Sequence, residues 1–323
     1  MMVSKGLELV EPIGSALHRP ECVHCTASGH VYASDWRGGV TRISADGRQE
    51  LLAPRDAGAQ LVKTNGFALA PDGSILLTHL DDREGGVWCL TKERDLRPYL
   101  LEVEGAALPP TNFVHVDQQE RTWITVSTRM VPRTLARRND VADGYIVLVD
   151  KHGGRIVADG LGFTNEAKVD PSGAWLYVNE TYGRRTSRYP IRATELGPRE
   201  TYVEYGHGVF PDGLEFDAEG GLWVTSVFSN RLIRVTADRQ QTVIFEDYEP
   251  EFVDTVESLL ARGELAVTDL PETPAALVRN LSSCAFGGPD LRTLFLGCVQ
   301  GTQIFRMRSP VQGAKPVHWD FNF

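Results

Sequence analysis

Six oxygen-bearing side chains recur at equivalent places in this sequence. Each stands at the head of a stretch in which alternating apolar residues lead into a polar turn and then into a second β-rich run. The six are Glu21, Asn65, Asn112, Asn165, Asp212 and Ser283. Two carboxylates together with neutral amide oxygens suit a hard divalent cation such as Ca²⁺, Mg²⁺ or Mn²⁺, and Zn²⁺ also accepts oxygen ligands. Asn and Asp also cap turns, but the pairing of Glu21 with Asp212 favours a cation site.

The stretches that carry these residues are repeats of one structural unit. They are ECVHCTASGHVYASD, NGFALAPDGSILLTH, NFVHVDQQERTWITV, NEAKVDPSGAWLYVN, DGLEFDAEGGLWVTS and, less closely, SCAFGGPDLRTLFLG. The first five copies begin 44 to 53 residues apart and the last follows after 71 residues. A period of this length with short strands is typical of a propeller, so the sequence predicts an all-β, six-bladed β-propeller.

Third and fourth strands follow most copies, which predicts four-stranded antiparallel blades in a single domain spanning residues 1–323. The opening segment LELVEPIG precedes the first inner strand. We therefore expect it to supply the outer strand of the last blade and close the ring, since closure hides sheet edges. Residues 129–143, rich in arginine, and residues 247–280 are interpreted as insertions.

The inner strands of a propeller line its central channel, and equal register places side chains at equal height. The six polar residues should therefore meet at one end of the channel. The second strand of each blade runs back to that same mouth, where it ends at Asp35, His79, Arg129, Glu180 or Ser226, with Ser127 just inside. We expect His79, Arg129 and Glu180 to bind a polar substrate or move protons there, although each could instead bond turn backbone or lie on the surface.

The composition excludes several function classes. The 323 residues carry a net charge of −10 without a basic stripe, which argues against nucleic acid as a partner. No apolar run is long enough for a signal peptide or a membrane span. Five cysteines do not suggest a disulfide framework, so a cytoplasmic protein with reduced thiols is expected. Cys22 and Cys25 are interpreted as buried structural thiols, because residues three apart on a strand face opposite sides.

Three segments resemble a known family: FPDGLEFDAEGGLWVTSV, FTNEAKVDPSGAWLYVNETYGRRTSRYPI and SSCAFGGPDLRTLFLG. They are similar, in order, to signatures of the senescence marker protein / gluconolactonase / luciferin-regenerating enzyme family, which includes regucalcin. The resemblance covers nearly the whole chain. It implies a six-bladed propeller with one divalent ion held by Glu21, Asn165 and Asp212, and a substrate contact from Asn112. Ca²⁺ is the ion this resemblance favours.

Two departures from the family pattern concern recognition. The first ligand stands in the sequence ECV, where the family has Glu-Gly-Pro, so Glu21 is the least typical of the three. The arginine that grips a sugar in regucalcin-like members corresponds to Pro110 here. The segment YVNETYGRRTSRY also resembles strictosidine synthase-like propellers, which need no metal for their chemistry.

The resemblance implies a metal-dependent lactonase that acts on a small-molecule substrate. The ion would polarise the ring carbonyl, and Asp212 would accept a proton from the attacking water. Two other interpretations remain open. The same site could act on a non-sugar ester or perform a lyase or isomerase step, or the chain could be a non-catalytic propeller that binds a ligand or metal. The sequence does not determine the oligomeric state.

Overall fold

The computed structural model describes residues 2–56, 58–268 and 272–323. Its main elements are six antiparallel sheets arranged in a ring, which confirms the prediction of an all-β, six-bladed propeller. From the channel outward, blade 1 consists of Val23–Cys25, Val31–Asp35, Gly39–Ile43 and Gln49–Leu52; blade 2 of Thr64–Leu69, Ile75–His79, Val87–Leu90 and Leu96–Leu100; and blade 3 of Thr111–Val116, Thr122–Val126, Gly144–Asp150 and Gly153–Leu161.

The other three blades follow the same plan. Blade 4 consists of Thr164–Val169, Trp175–Glu180, Arg185–Arg192 and Glu200–Glu204; blade 5 of Pro211–Phe216, Leu222–Ser226, Arg231–Val235 and Gln241–Tyr248; and blade 6 of Leu281–Gly287, Thr293–Cys298 and Ile304–Arg308 from the C-terminal part of the chain. Short accessory strands are Glu102–Val103, paired with Ala106–Ala107, and Glu195–Leu196, paired with the end of Arg185–Arg192. That residues 1–323 form one folding domain stays a prediction.

The N-terminal segment closes the ring as expected. Glu11–Ile13 pairs antiparallel with Ile304–Arg308 and is the fourth strand of blade 6. A second contact was not expected from the sequence: Val3–Lys5 pairs with Gln241–Tyr248 and adds a fifth strand to blade 5. The start of the chain therefore fastens two neighbouring blades, with Leu7–Leu9 forming a 3₁₀ turn between them.

Aspartates in the hairpins explain why the two inner strands of several blades turn so regularly. Asp217 accepts hydrogen bonds from the backbone amides of Glu219 and Gly221 and, through its other oxygen, from Trp223 Nε1 at 2.8 Å. Asp117 bonds Gln119, Arg121 and Trp123 in the same way. Hydrogen bonds of this kind form an Asx turn and favour it over other backbone conformations. The tryptophans are then buried between blades, where facing sheets form the core.

The two insertions lie near the same channel mouth. Residues 129–143 contain the 3₁₀ helix Arg133–Ala136, and residues 247–280 contain the α-helix Pro250–Ala261 and the 3₁₀ helix Leu265–Val267. The α-helix has proline in its first turn and ends before Gly263, whose φ of +69° suits glycine. Its apolar side packs with Phe163, Tyr182 and Phe210 at the mouth. No helix among the described residues is both long and apolar enough to cross a membrane.

Candidate active site

The ring residues of blades 2 to 6 lie at irregular points of their inner strands. Regular pairing is interrupted between Thr64 and Phe67, Thr111 and Phe113, Thr164 and Ala167, Pro211 and Leu214, and Leu281 and Ser283. A β-bulge leaves a residue out of the ladder and redirects its side chain, which is why bulges are common beside active sites. In this ring the bulges free the polar residues from their own sheets.

Blades 2, 4 and 5 each fix the backbone of the next blade. Thr78 Oγ1 donates to the carbonyl of Asn112 at 3.0 Å, and Asn179 Nδ2 donates to that of Asp212 at 3.0 Å. Thr225 Oγ1 makes the corresponding bond to Ser282 at 2.8 Å. This pattern corrects the register of the sixth repeat, because Ser282 rather than Ser283 is the counterpart of Asp212.

Close contact between inner strands explains the glycine that follows two of the ring residues. A Cβ atom on Gly213 would lie 2.4 Å from the carbonyl oxygen of Ser282, and one on Gly66 would lie 2.8 Å from the Cα of Phe113. Both distances are too short for a side chain. The glycines therefore let neighbouring blades approach, and this brings the polar residues before them toward a common centre.

A cavity of about 390 Å³ opens at this end of the channel. Four of the residues selected from the sequence line it together: Glu21, Asn112, Asn165 and Asp212. Asn65 does not reach the cavity, but its Nδ2 donates to Glu21 Oε1 at 2.8 Å. The Ser282 and Ser283 hydroxyls donate to the carbonyl of Glu21. The altered residues after Glu21 do not turn its side chain away from the cavity, because Asn65, Ser282 and Ser283 hold Glu21 in place.

The two amides turn their oxygens toward the cavity. Asn112 Nδ2 donates to Ser127 Oγ at 3.2 Å, and Asn165 Nδ2 donates to Thr181 Oγ1 at 3.0 Å. Both Oδ1 atoms are buried and, among the described residues, have no hydrogen-bond donor. Buried acceptors without a donor are costly. These oxygens are therefore free to bind a cation or a substrate group.

The carboxylates repel one another. Burial raises the pKa of Asp212 well above its usual range, and the nearby charges of Glu21 and Glu166 raise it further. Burial also raises the pKa of Glu166 to about 7, although Lys168 opposes this. Arg19 Nη2 lies 2.5 Å from Glu21 Oε2, yet no residue that the structure describes makes a well-formed hydrogen bond to that oxygen. A cation beside Glu21 and Asp212 would relieve this repulsion.

The donor set fits a hard divalent cation. Two carboxylates and the free amide oxygen of Asn165 supply only oxygen, which suits Ca²⁺, Mg²⁺ or Mn²⁺ better than Zn²⁺. In the ranges the structure describes, no three His, Cys, Asp or Glu residues are grouped to hold a metal.

The structure places three expected substrate residues away from the cavity. Arg129 donates two hydrogen bonds of 2.8 Å to Asp159 on the outer strand of blade 3 and stacks on Tyr145. His79 is buried, and its Nδ1 accepts from the backbone amide of Lys63 at 3.0 Å. The position of these residues at the ends of strands did not predict where their side chains point, because local hydrogen-bond partners hold the side chains.

Glu180 is the third expected substrate residue that lies away from the cavity. Its carboxylate is fully buried and accepts from Arg185 Nε and Nη2 at 2.8 and 2.7 Å and from the Gly162 amide at 2.7 Å. Asp35 is bonded in a similar way to Arg37 and Thr41. These carboxylates stabilise the turn after the second strand and do not line the cavity.

Several residues that do line the cavity were not selected from the sequence. They are cationic or aromatic side chains that come from loops and from the first insertion: Arg19, Trp36, Lys63, Arg133, Arg137 and Tyr182. Strand register gives no information about such residues. The one available signal was the arginine content of residues 129–143, which marks the insertion as unusual without indicating which arginines face inward.

The opposite end of the channel is lined by histidines and by the ion pair of Lys168 with Glu215. The C-terminal residues lie across it, with the His318 ring 4.4 Å from that of His24 and Trp319 O accepting from the Ala27 amide at 2.7 Å. Burial lowers the pKa of both His115 and His318 to about 3.

Cys22, Cys25 and Cys284 are buried free thiols whose pKa burial raises, as expected for structural cysteines. His207 pairs with Asp254 on the surface.

Comparisons with known proteins identify a family for most of the chain. A family model described as the SMP-30/Gluconolactonase/LRE-like region matches residues 20–246. A 6-deoxy-6-sulfogluconolactonase from Pseudomonas putida is 27% identical over 259 residues, which cover 77% of this chain and 75% of that protein.

Solved structures share the fold at low identity. A gluconolactonase from Xanthomonas campestris has a TM-score of 0.66 and 18% identity, with 92% of this chain and 88% of that chain covered. The calcium-binding protein regucalcin from Agrobacterium tumefaciens has a TM-score of 0.67 and 18% identity, with 94% and 95% covered. At these identities the likeness shows the propeller fold.

Proposed function

This chain belongs to the SMP-30/gluconolactonase/LRE-like family, and we propose that it is a hydrolase that opens a small lactone, sugar-type or other, with the help of one divalent cation. One observation carries the proposal: Glu21 and Asp212 share a cavity with the buried amide oxygens of Asn112 and Asn165, which have no donor within the described ranges. The lactonase from Pseudomonas putida supports the choice of a lactone as substrate.

Glu21, Asn165 and Asp212 would hold the cation. Ca²⁺ is the preferred ion because the donors are all oxygen, with Mg²⁺, Mn²⁺ and Zn²⁺ as alternatives. When bound, such an ion supplies Lewis acidity, which polarises a carbonyl group and stabilises negative charge on its oxygen.

The side chains of this protein account for the other parts of the reaction. Asp212 is the proton acceptor for the attacking water, and it must be ionised to act. Asn112 Oδ1 is an acceptor for a hydroxyl group of the substrate, because its Nδ2 is already engaged by Ser127. Trp36, Phe163 and Tyr182 line the cavity walls and restrict the water that reaches the lactone.

The test combines two variants with removal of the metal. Asp212→Asn and Asn165→Ala should each lower kcat for lactone hydrolysis by roughly 10²–10⁴-fold, the usual contribution of a proton acceptor or of lost charge stabilisation. Chelation of the native protein should abolish turnover, and added Ca²⁺ should restore it. Asp140→Asn, an exposed aspartate in the first insertion, is the control and should keep full activity. Undiminished hydrolysis by chelated Asp212→Asn protein would contradict the mechanism.

The alternatives are separated by the substrates used. A panel of sugar lactones, non-sugar lactones and linear esters, followed by proton release and product mass, distinguishes hydrolysis from a lyase or isomerase step. A propeller that only binds its ligand would take up Ca²⁺ through Asp212 and turn over nothing in the panel.

A further inference from the structure

The first insertion brings unpaired positive charge into the cavity. Arg133 and Arg137, on and just after the 3₁₀ helix Arg133–Ala136, line the cavity together with Asp212. Other arginines of the same insertion are paired outside it: Arg129 with Asp159 at 2.8 Å and Arg138 with Asp140 at 2.6 Å. Among the described residues, no carboxylate lies within ion-pair distance of Arg133 or Arg137. The insertion therefore supplies the cavity with two uncompensated guanidinium groups.

Arg133 is held beside the expected substrate residue. Its Nη2 donates to Ser127 Oγ at 3.0 Å, and the same oxygen accepts from Asn112 Nδ2 at 3.2 Å. The guanidinium carbon lies 4.9 Å from the centre of the Phe163 ring. Its Nε atom is buried and has no hydrogen-bond acceptor among the described residues. The side chain is thus positioned by Ser127 and Phe163 with donor capacity left over.

The charges around Arg133 make this arrangement unfavourable without an anion. Burial and, to a smaller extent, the positive charges of Arg19 and Arg137 lower the pKa of Arg133 to about 10, against the attraction of Glu21. The group stays protonated at neutral pH. Arg19, whose Nη2 pairs with Glu21 Oε2 at 2.5 Å, also has a buried Nη1 that finds no acceptor in the described part of the chain. Arg133 and Arg137, with the free Nη1 of Arg19 beside them, form a site for an oxyanion, which they can bind through forked hydrogen bonds.

Blade 2 does not cancel this charge. Its Lys63 is paired with Asp81 at 2.5 Å, which leaves Asp82 as the remaining acidic group on that part of the wall. Glu21 and Asp212 are the residues assigned to the cation. The groups left for the substrate are therefore predominantly basic, and they lie on the side of Asn112.

We propose that Arg133 and Arg137 bind an anionic substituent of the lactone, a carboxylate, sulfonate or phosphate, while Asn112 bonds a neighbouring hydroxyl group. This rests on the proposed function, because it assigns the substrate class of that same site. The proposal also accounts for Pro110, which is buried, does not line the cavity and stands where regucalcin-like proteins have an arginine. In this chain the insertion supplies the arginines that recognise the charged lactone instead.

The test compares neutral and charged forms of one lactone. Native protein is assayed on an aldonolactone with a free terminal hydroxyl and on the same lactone with a terminal carboxylate, sulfonate or phosphate. Arg133→Gln and Arg137→Gln should each lower kcat/KM for the preferred charged lactone by about 10–100-fold, the value of one charge-assisted hydrogen bond, mainly through KM. Activity on the neutral lactone should fall less, so that the ratio of kcat/KM for the charged lactone to kcat/KM for the neutral lactone drops by about tenfold or more. The neighbouring Arg138→Gln is the control and should behave as native protein.

Two outcomes separate this inference from the proposed function. If the neutral lactone is the better substrate, or if the variants lose both activities equally, the anion site is wrong while lactone hydrolysis stands. If neither lactone is hydrolysed, calorimetric titration of glucose 6-phosphate against glucose tests the site without turnover. Binding of the phosphate ester that is lost in Arg133→Gln protein supports the site, and equal binding of both sugars overturns it. A native circular dichroism spectrum and melting temperature confirm that each variant folds.

Discussion

At the residue scale, the cavity brings together groups that disfavour one another in isolation. Glu21 and Asp212 are both buried carboxylates that face a common space, and their amide neighbours offer further oxygen rather than donors. Such an arrangement lowers the stability of the protein unless a cation is present. Residues that bind a ligand strongly often lower the stability of the protein when the ligand is absent.

Replacement of Asp212 by asparagine should therefore stabilise the metal-free protein while removing activity. The change deletes one of two like charges without altering shape, and we expect a gain of about 1 kcal/mol, or roughly 2 °C in melting temperature. Differential scanning calorimetry in chelator measures it. In excess Ca²⁺ the order should reverse, because only native protein gains stability from the bound ion. A lower melting temperature of Asp212→Asn protein in chelator would show that the two carboxylates do not repel.

The identity of the ring residues was predictable because a repeat carries its own register. Glu21, Asn112, Asn165 and Asp212 meet in the cavity although they are far apart in the chain. The sixth repeat was misplaced by one residue because its hairpin is longer: Leu281 pairs with Cys298, 17 residues on, whereas Pro211 pairs with Ser226, 15 residues on. Arg133 and Arg137 could not be located, because nothing in an insertion fixes the direction of a side chain.

At the element scale, the second strands of blades 1 and 4 end in carboxylates that hold turns together. Glu180 pairs directly across the hairpin with Arg185, and Asp35 bonds Arg37 two residues later. An arginine so soon after the strand was visible in the sequence and predicts a local ion pair. For His79 no comparable signal exists, because the residue that bonds it does so through its backbone amide.

Glu180→Gln should change stability rather than substrate binding, and the effect should depend on pH. Burial alone would raise the pKa of Glu180, but bonds from Arg185, the Gly162 amide and Ser187 bring it below its ordinary value. A lowered pKa in the folded state means stability that is present above the unfolded pKa, about 4.3, and is lost as the pH falls through the folded value.

We expect Glu180→Gln to cost roughly 2 kcal/mol at pH 7 and progressively less below pH 4, with KM unchanged. Urea unfolding at both pH values measures the difference. Glu200→Gln on the same blade is the control, because its exposed pair with Arg188 should contribute less than about 1 kcal/mol. A cost for Glu180→Gln that stays constant from pH 7 to pH 3 would contradict the assigned ionisation.

At the scale of the whole molecule, the site depends on closure of the ring. The expected cation ligands come from the first, fourth and fifth blades, so their spacing is set by how all six blades pack around the channel. The repeat period predicted the number of blades, and the apolar segment before the first repeat predicted the closing strand. The fifth strand of blade 5 was not predictable, since Val3–Lys5 has no counterpart in the other repeats.

Two truncations distinguish the closing strand from the accessory one. Removal of residues 1–6 deletes only the outermost strand of blade 5, which is largely exposed, and should cost about 1 kcal/mol. Removal of residues 1–14 also takes away Glu11–Ile13 and buried Val10, and so leaves Ile304–Arg308 as an unpaired edge. That should cost roughly 3–5 kcal/mol, a fall in melting temperature of about 6–15 °C, and should promote aggregation. Thermal unfolding with simultaneous light scattering measures both effects. Equal melting temperatures for the two truncated proteins would mean that the ring is held closed by blade packing and not by the strand.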